Sequence, residues 1–155
     1  MFRDITTLLQ DGEAFHHVCD ELYNRYKGKG ISKVVGIDAR GFIFGSVLAY
    51  KLGVGFVPVR KKGKLPSKTI SEEYTLEYGK NCVEMHEDAI EKGEKVIIID
   101  DLIATGGTLQ ASIKLVEKIG GIIEEVAVII DLPDLKGREK LKGYKVFTMC
   151  EFEGD

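Results

Sequence analysis

Two adjacent carboxylates beside a glycine turn are the residues of this sequence with the clearest chemical use. They lie in the segment VIIIDDLIATGGT, Val96–Thr108, where an apolar run leads to Asp100 and Asp101 and then to a Thr-Gly-Gly-Thr turn. The glycines let backbone amides approach a ligand closely, and the free amides at the start of a following helix form an anion site. The segment therefore offers acids for a pair of hydroxyl groups next to a phosphate site, which fits a ribose 5-phosphate.

The same segment has a plainer interpretation as a connection between a strand and a helix that an acid caps. That interpretation accounts for one acid and one glycine, but not for two acids followed by Thr-Gly-Gly-Thr. The Walker pattern is absent because no lysine follows the second glycine, and the GxGxxG dinucleotide pattern is absent at this turn. We therefore interpret the segment as a ligand site.

A second group of charged side chains lies earlier in the chain, directly after the apolar segment Phe56–Val59. Arg60, Lys61 and Lys64 belong to a basic run in a chain whose formal net charge is −3. Most charge runs are solvated surface, but this run directly follows a predicted strand of the same sheet. Arg40 follows another strand, and ligands of parallel sheets collect at the carboxyl ends of the strands. These cations predict a site for a second anion.

The elements that would position these residues alternate between strands and helices. Buried strands are predicted at Lys33–Asp38, Phe56–Val59, Val96–Ile99, Glu125–Asp131 and Tyr144–Met149. Helices are predicted from Asp11 or Gly12 to Tyr26, and over 42–52, 87–92, 109–119 and 137–141. Residues 60–71 are predicted as a long loop, and Tyr74–Tyr78 and Asn81–His86 as a short antiparallel arm. The pattern predicts an α/β fold with a parallel sheet.

Length and composition limit the classes of protein to consider. The 155 residues, 44% of them hydrophobic and 30% charged, predict one domain. The negative net charge argues against a nucleic-acid coat. The sequence has no apolar run near 20 residues and no signal-peptide pattern, so we expect a cytoplasmic protein without a membrane partner. The three cysteines are scattered and odd in number, which is typical of reduced thiols.

Together these segments resemble the type I phosphoribosyltransferase family, and within it the enzymes that use adenine. The segment VIIIDDLIATGGT is similar to the motif with which that family binds phosphoribosyl pyrophosphate. Segments similar to those of the adenine-specific members are Phe2–Ile5, Ala39–Gly45, Arg60–Pro66, Leu76–Gly79 and Leu135–Leu141. The likeness follows the order of the chain over nearly its whole length.

The resemblance implies that adenine and phosphoribosyl pyrophosphate give AMP and pyrophosphate, with Mg²⁺ as cofactor, in a homodimer. It implies catalytic roles for Glu77, Asp100 and Asp101. The implied 5-phosphate loop is Ala104, Thr105, Gly106, Gly107 and Thr108. The implied pyrophosphate contacts are Arg40, Arg60, Lys61 and Lys64. The implied base contacts are Arg3, Tyr78 and Ile103. Magnesium is expected to be held mainly by the substrate near the two aspartates, without direct protein ligands.

One departure and two alternatives accompany this hypothesis. Family members usually carry about one more helix before Phe-Arg-Asp-Ile, whereas Met1 directly precedes Phe2 here, so we expect a shortened hood over the base. One alternative is an enzyme for hypoxanthine, guanine or xanthine, for which Lys136 or Lys142 would be candidate base contacts. The other is a non-catalytic regulator that senses phosphoribosyl pyrophosphate or a nucleotide. The sequence shows no helix-turn-helix pattern for a regulator of that kind.

Overall fold

The computed structural model describes residues 5–76 and 78–153. Its α-helices are α1 (Thr6–Gln10), α2 (Gly12–Tyr26), α3 (Arg40–Leu52) and α4 (Gly107–Lys118). Its strands are β1 (Lys33–Ile37), β2 (Gly55–Lys61), β3 (Thr69–Leu76), β4 (Gly79–His86), β5 (Lys95–Ile103), β6 (Ile122–Asp131) and β7 (Val146–Glu151). Two short 3-10 helices follow β6, at Pro133–Leu135 and Gly137–Leu141.

The strands form one sheet in the order β3-β4-β2-β1-β5-β6-β7. The five strands from β2 to β7 in this order are parallel, while β4 pairs antiparallel with both β2 and β3. This confirms the predicted α/β fold with a parallel sheet and an antiparallel arm. The strand that follows β1 in the chain, β2, lies beside it on one side in the sheet, and β5 lies beside it on the other. Open sheets bind ligands at such a switch point, so the carboxyl ends of β1 and β5 are where a site is expected.

Two apolar layers cover the two faces of the sheet. Ile97 and Ile99 of β5 pack into the layer that includes α2 and α3, whereas Ile98 packs into the layer that includes α4. The alternation follows from the period of two along a strand. All four residues of the apolar run in β5 are fully buried, as a strand at the centre of a covered parallel sheet requires.

An ionic contact fastens α2 to β6. Arg25 donates two hydrogen bonds to the Glu125 carboxylate, from Nε to Oε1 at 2.6 Å and from Nη2 to Oε2 at 2.9 Å. The Tyr26 hydroxyl donates a third at 2.7 Å. Burial alone would raise the pKa of Glu125, but the hydrogen bonds from Arg25 and Tyr26 outweigh it and lower that pKa. The contact therefore holds an ionised acid at the edge of the core.

Two predicted elements are wrong. Residues 87–92 were expected to be helical, but they form turns in which the Ala89 amide donates to the His86 carbonyl. The predicted loop at 60–71 is shorter, because Arg60 and Lys61 pair with β4 and β3 already begins at Thr69. The connection is therefore residues 62–68. The helix α1 was not predicted.

None of the helices within the described parts of the chain is long and apolar enough to cross a membrane.

Candidate active site

The acid pair lies inside β5 rather than after it. The strand was expected to end at Ile99, but it continues to Ile103 because Ile103 pairs with Asp131 at the end of β6. Alternation along the strand then sends Asp100 and Asp101 to different surroundings. Asp101 is 6% exposed and accepts a 2.6 Å hydrogen bond from Arg40 Nε, whereas Asp100 is half-buried. The two acids therefore enter the site with different charge partners.

The environment of Asp100 disfavours its charged form. Burial raises the pKa of Asp100 well above its ordinary value, and the neighbouring Asp101 carboxylate adds to this effect. The Arg40 guanidinium and the Asp101 amide, which donates to Asp100 Oδ1 at 2.8 Å, oppose it. A positive charge that arrives with a ligand would favour the ionised form of such a carboxyl group and lower its pKa.

The turn after β5 leads directly into the N-terminus of α4. Gly106 is the N-cap residue and has φ +85°, a left-handed conformation that glycine adopts without strain. Within residues 5–76 and 78–153, no side chain accepts a hydrogen bond at this N-terminus, so its amides remain available to an anion. A cavity of about 110 Å³ lies here. The structure thus brings the five residues of the predicted 5-phosphate loop, 104–108, together around one cavity.

A second cavity, of about 160 Å³, adjoins the first and shares Asp100 and Thr108 with it. Arg40, Arg60 and Lys61 line it, and Asp100, Asp101 and Thr108 complete the wall toward the first cavity. The structure therefore places three of the four predicted pyrophosphate contacts around one space that adjoins the acids. The fourth, Lys64, is exposed on the 62–68 connection.

Sequence reasoning missed two residues of this second cavity, Asp38 and Tyr74. Asp38 follows β1 and accepts a 2.9 Å hydrogen bond from Arg60 Nε, so it holds that guanidinium at the edge of the sheet. Its position at the end of a strand, two residues before Arg40, was the available signal. Tyr74 of β3 packs against Gly107, where a Cβ atom would lie 3.2 Å from the tyrosine ring. Nothing in the spacing of Tyr74 indicated this contact.

Two of the predicted base contacts differ in exposure. Ile103 is only 1% exposed and packs in the core layer on the α4 side, and it also lines the first cavity. The half-buried Leu102 points to the opposite layer, where Ile5 also lies. Tyr78 is 94% exposed at the turn between β3 and β4. Arg3 and Glu77 lie outside the described residues.

Comparison with known proteins accounts for this arrangement. The family model for the phosphoribosyl transferase domain matches residues 6–154. The chain belongs to the phosphoribosyltransferase family. Its mostly parallel seven-stranded sheet with an antiparallel arm is the family's type I fold in this chain.

Relatives of known name in this family match nearly the whole chain. An adenine phosphoribosyltransferase from Desulfosudis oleivorans is 64% identical over 155 residues, which are 100% of this chain and 90% of the relative. An enzyme of the same name from Photobacterium profundum is 54% identical over 99% of this chain and 90% of its own length.

Solved structures in this family superpose closely on the chain. Adenine phosphoribosyltransferase from Thermoanaerobacter pseudethanolicus has a TM-score of 0.93 at 49% identity, over 97% of this chain and 88% of that one. The Saccharomyces cerevisiae enzyme, solved with an imino-altritol bisphosphate and adenine, has a TM-score of 0.90 at 40% identity, over 96% and 86%.

Proposed function

We propose that the protein transfers the 5-phosphoribosyl group of phosphoribosyl pyrophosphate to adenine and so makes AMP and pyrophosphate. The observation that supports this proposal is that Asp100 lines two adjoining cavities, and that Asp101 lines the second of them. The predicted phosphate loop, residues 104–108, lines the first cavity, and two arginines and a lysine line the second. A sugar with a phosphate at one end and a diphosphate at the other spans that arrangement. The relatives' names add adenine as the base.

The reaction breaks the bond between the anomeric carbon and the pyrophosphate oxygen, and the base nitrogen forms the new bond. Positive charge develops on the ribose ring, as it does in glycoside hydrolysis. Asp100 and Asp101 supply negative charge beside that ring, and their stabilisation grows as the charge develops. Arg40, Arg60 and Lys61 offset the charge of the departing pyrophosphate. Because the phosphate loop holds the other end of the sugar, the reacting carbon stays in place.

Magnesium fits this site only together with the substrate. Among residues 5–76 and 78–153, no group of three or more histidines, cysteines or acids is placed to hold a metal ion. Magnesium prefers six oxygen ligands and is often held by one or two carboxylates plus substrate phosphates. Asp100 and Asp101 are suited to face such an ion while the sugar diphosphate provides most of its ligands. The bound ion would add charge compensation at the pyrophosphate.

The base side of the site rests on the family resemblance. Glu77 is proposed to give a proton to the imidazole part of the purine, and Arg3 to contact the base. Ile103 stays a proposed apolar contact, and Leu102 is a further candidate, since Leu102 is half-buried and lies on the layer shared with Ile5. The resemblance also supports a homodimer in the cytoplasm, and the mass of the protein measured by light scattering tests the dimer.

Nucleotide synthesis tests the proposal directly. The protein is mixed with phosphoribosyl pyrophosphate and Mg²⁺, and adenine, hypoxanthine, guanine, xanthine and orotate are offered separately. We expect AMP from adenine alone. A nucleotide from a 6-oxopurine would favour the first alternative, and binding of phosphoribosyl pyrophosphate without any nucleotide would favour a regulator.

A pair of matched variants links the activity to the acids. Asp101→Asn should lower the rate of AMP formation by about 10²-fold or more, since it removes charge aimed at the ribose cation. Asp88→Asn changes an exposed acid in the turn after β4 and should leave the rate unchanged. Equal rates for both variants would remove Asp101 from the mechanism.

A further inference from the structure

The phosphate loop is in direct backbone contact with a segment that lies thirty residues further along the chain. A Cβ atom placed on Gly106 would lie 2.5 Å from the Gly137 carbonyl oxygen. A Cβ atom placed on Gly137 would lie 2.4 Å from the Ala104 carbonyl oxygen and 2.8 Å from Ile103 Cγ1. Both distances to oxygen are below 3.0 Å, which real Cβ atoms essentially never show. Each backbone therefore occupies the space that a side chain on the other would need.

The segment around Gly137 is itself firmly held. Lys136 has φ +57°, a left-handed turn that brings the chain back toward β5. Arg138 Nε donates to Asp131 Oδ2 at 2.9 Å, and its guanidinium donates to Thr148 Oγ1 at 2.9 Å. Asp131 is 1% exposed at the end of β6, and Leu141 is equally buried in the core. The 3-10 helix 137–141 is thus fixed to β6, to β7 and to the core.

We propose that Gly137 is a positioning residue for phosphoribosyl binding, because its main chain forms a rigid back wall that sets the shape of the 5-phosphate loop. This inference rests on the proposed function, and it extends the site to an element that touches no substrate. The phosphate loop has Gly106 in a left-handed conformation, and no side chain of the described residues caps the helix that follows it. A wall of main-chain atoms holds that turn, so the amides of Gly106 and Gly107 point at the phosphate before it arrives.

The position of Gly137 makes the proposal testable by a single methyl group. Gly137 does not have a left-handed φ, so alanine is strained there only by lack of space. Gly137→Ala must push the Ala104 carbonyl away and so displace the loop. Displacements of about 1 Å at a site can cost about a hundredfold in rate or binding. We therefore expect the dissociation constant of ribose 5-phosphate, measured by calorimetry, to rise about tenfold or more.

The kinetic constants separate positioning from a general loss of structure. In Gly137→Ala the KM for phosphoribosyl pyrophosphate should rise about tenfold or more, while the KM for adenine changes less than about twofold. Gly12→Ala is the matched control, since it makes the same change at the start of α2, where a Cβ atom meets nothing within 4 Å. It should change neither constant.

A second variant keeps the test decisive if Gly137→Ala does not fold. Arg138→Gln removes the ion pair to Asp131 without adding a methyl group to the wall, and it should also weaken binding of ribose 5-phosphate. A folded Gly137→Ala protein that binds ribose 5-phosphate as tightly as the unchanged protein would overturn the proposal. Where Gly137→Ala is unfolded, unchanged affinity in Arg138→Gln would do the same.

The outcome also separates this inference from the proposed function. If the unchanged protein makes no AMP but binds ribose 5-phosphate, the proposed transfer fails and the binding measurements still decide the role of Gly137. If it binds no ribose 5-phosphate at all, the loop is not a phosphate site and the inference fails with it.

Discussion

Asp100 and Asp101 are neighbours in sequence, yet the structure gives them different electrostatic surroundings. Asp101 is buried against Arg40, whereas Asp100 faces both cavities and has a raised pKa. A group whose pKa is higher in the folded state than in the unfolded chain binds more protons when folded. The free energy of unfolding therefore falls as the pH rises from the pKa of Asp100 in the unfolded chain to its pKa in the folded protein. Above the folded pKa the destabilisation by ionised Asp100 is complete.

The variant Asp100→Asn should therefore be more stable than the unchanged protein without ligand. The amide keeps an oxygen for the Asp101 amide but carries no charge to desolvate. We expect the melting temperature at pH 8 to rise by a few degrees, the effect of about 1 kcal/mol in a domain of this size. The gain should shrink at pH 5, where Asp100 is more protonated. Calorimetric melts at the two pH values, with chelator present, provide the measurement.

The control for this prediction is Asp88→Asn, which removes an exposed acid outside the site. Its melting temperature should stay within error at both pH values. A lower melting temperature for Asp100→Asn at pH 8 would show that ionised Asp100 stabilises the fold. A stabilised variant without activity would instead mark Asp100 as a group kept for function at a cost in stability.

The residue types and their spacing predicted most of the site. The two acids and the glycine turn could be predicted as one candidate ligand site, because those residues lie close together in the chain. Asp38 and Tyr74 escaped because they reach the second cavity only through the pairing of distant strands. The burial of Ile103 was not predictable because the strand was expected to end before it, whereas Ile103 pairs with Asp131 inside the sheet.

At the scale of elements, the 62–68 connection is tied down by one buried acid. Glu84 of β4 is 9% exposed. It accepts a 2.6 Å hydrogen bond from the Gly63 amide and a 2.8 Å hydrogen bond from Thr69 Oγ1. The bond from Gly63 is the main cause of the lowered pKa of Glu84, and the bond from Thr69 adds to it. Glu84 thus joins the start of the connection to its end.

Replacement of this acid should loosen the connection. In Glu84→Gln one of the two donors meets an NH₂ group instead of an oxygen, so the exchange rate of the Gly63 amide should rise by about tenfold. Hydrogen exchange followed by NMR measures this. In the unchanged protein the protection should be present above pH 4.5, the ordinary pKa of the group, and be lost as the pH falls through its lowered pKa.

The matched variant for this test is Glu73→Gln, an exposed acid on the neighbouring strand with only a 4.0 Å contact to Lys80. Exchange at Gly63 should be unchanged in it. The idea that Glu84 fixes the connection is wrong if both variants exchange at the same rate.

Elements were predictable where one local signal dominated. The apolar run predicted β5, and the helical spacing of apolar residues predicted α2. Asp11 caps α2, since its side chain accepts hydrogen bonds from the Glu13 and Ala14 amides. The ends of β2 and β3 were not predictable from local sequence. Arg60, Lys61 and Thr69 read as loop residues, and only hydrogen bonds to β4 make them strand.

At the scale of the whole molecule, the contact of Arg25 and Tyr26 with Glu125 joins a surface helix to the central sheet. Arg25→Met should cost about 2 kcal/mol, because it leaves a buried carboxylate without its cation. The melting temperature should fall by about 4–8 °C at pH 7. The difference from the unchanged protein should narrow at low pH, where Glu125 becomes neutral in both.

The variant Lys27→Met serves as the comparison, since it removes an exposed cation two residues away. It should change the melting temperature by less than about 1 °C, as most surface substitutions do. Equal melting temperatures for Arg25→Met and the unchanged protein would mean that the Arg25 guanidinium does not stabilise the packing of α2 against the sheet.

The position of β3 at one edge, or margin, of the sheet has a consequence for aggregation. A terminal strand presents a row of main-chain groups to which a second molecule can add a strand, which is a common start of aggregation. In β3 the Glu73 side chain is exposed beside Lys80, and Glu72 lies 3.9 Å from Lys118 Nζ, so this margin carries charged groups of both signs. Charged side chains on a terminal strand oppose strand addition, so the protein should remain dispersed at concentrations where an uncharged margin would aggregate.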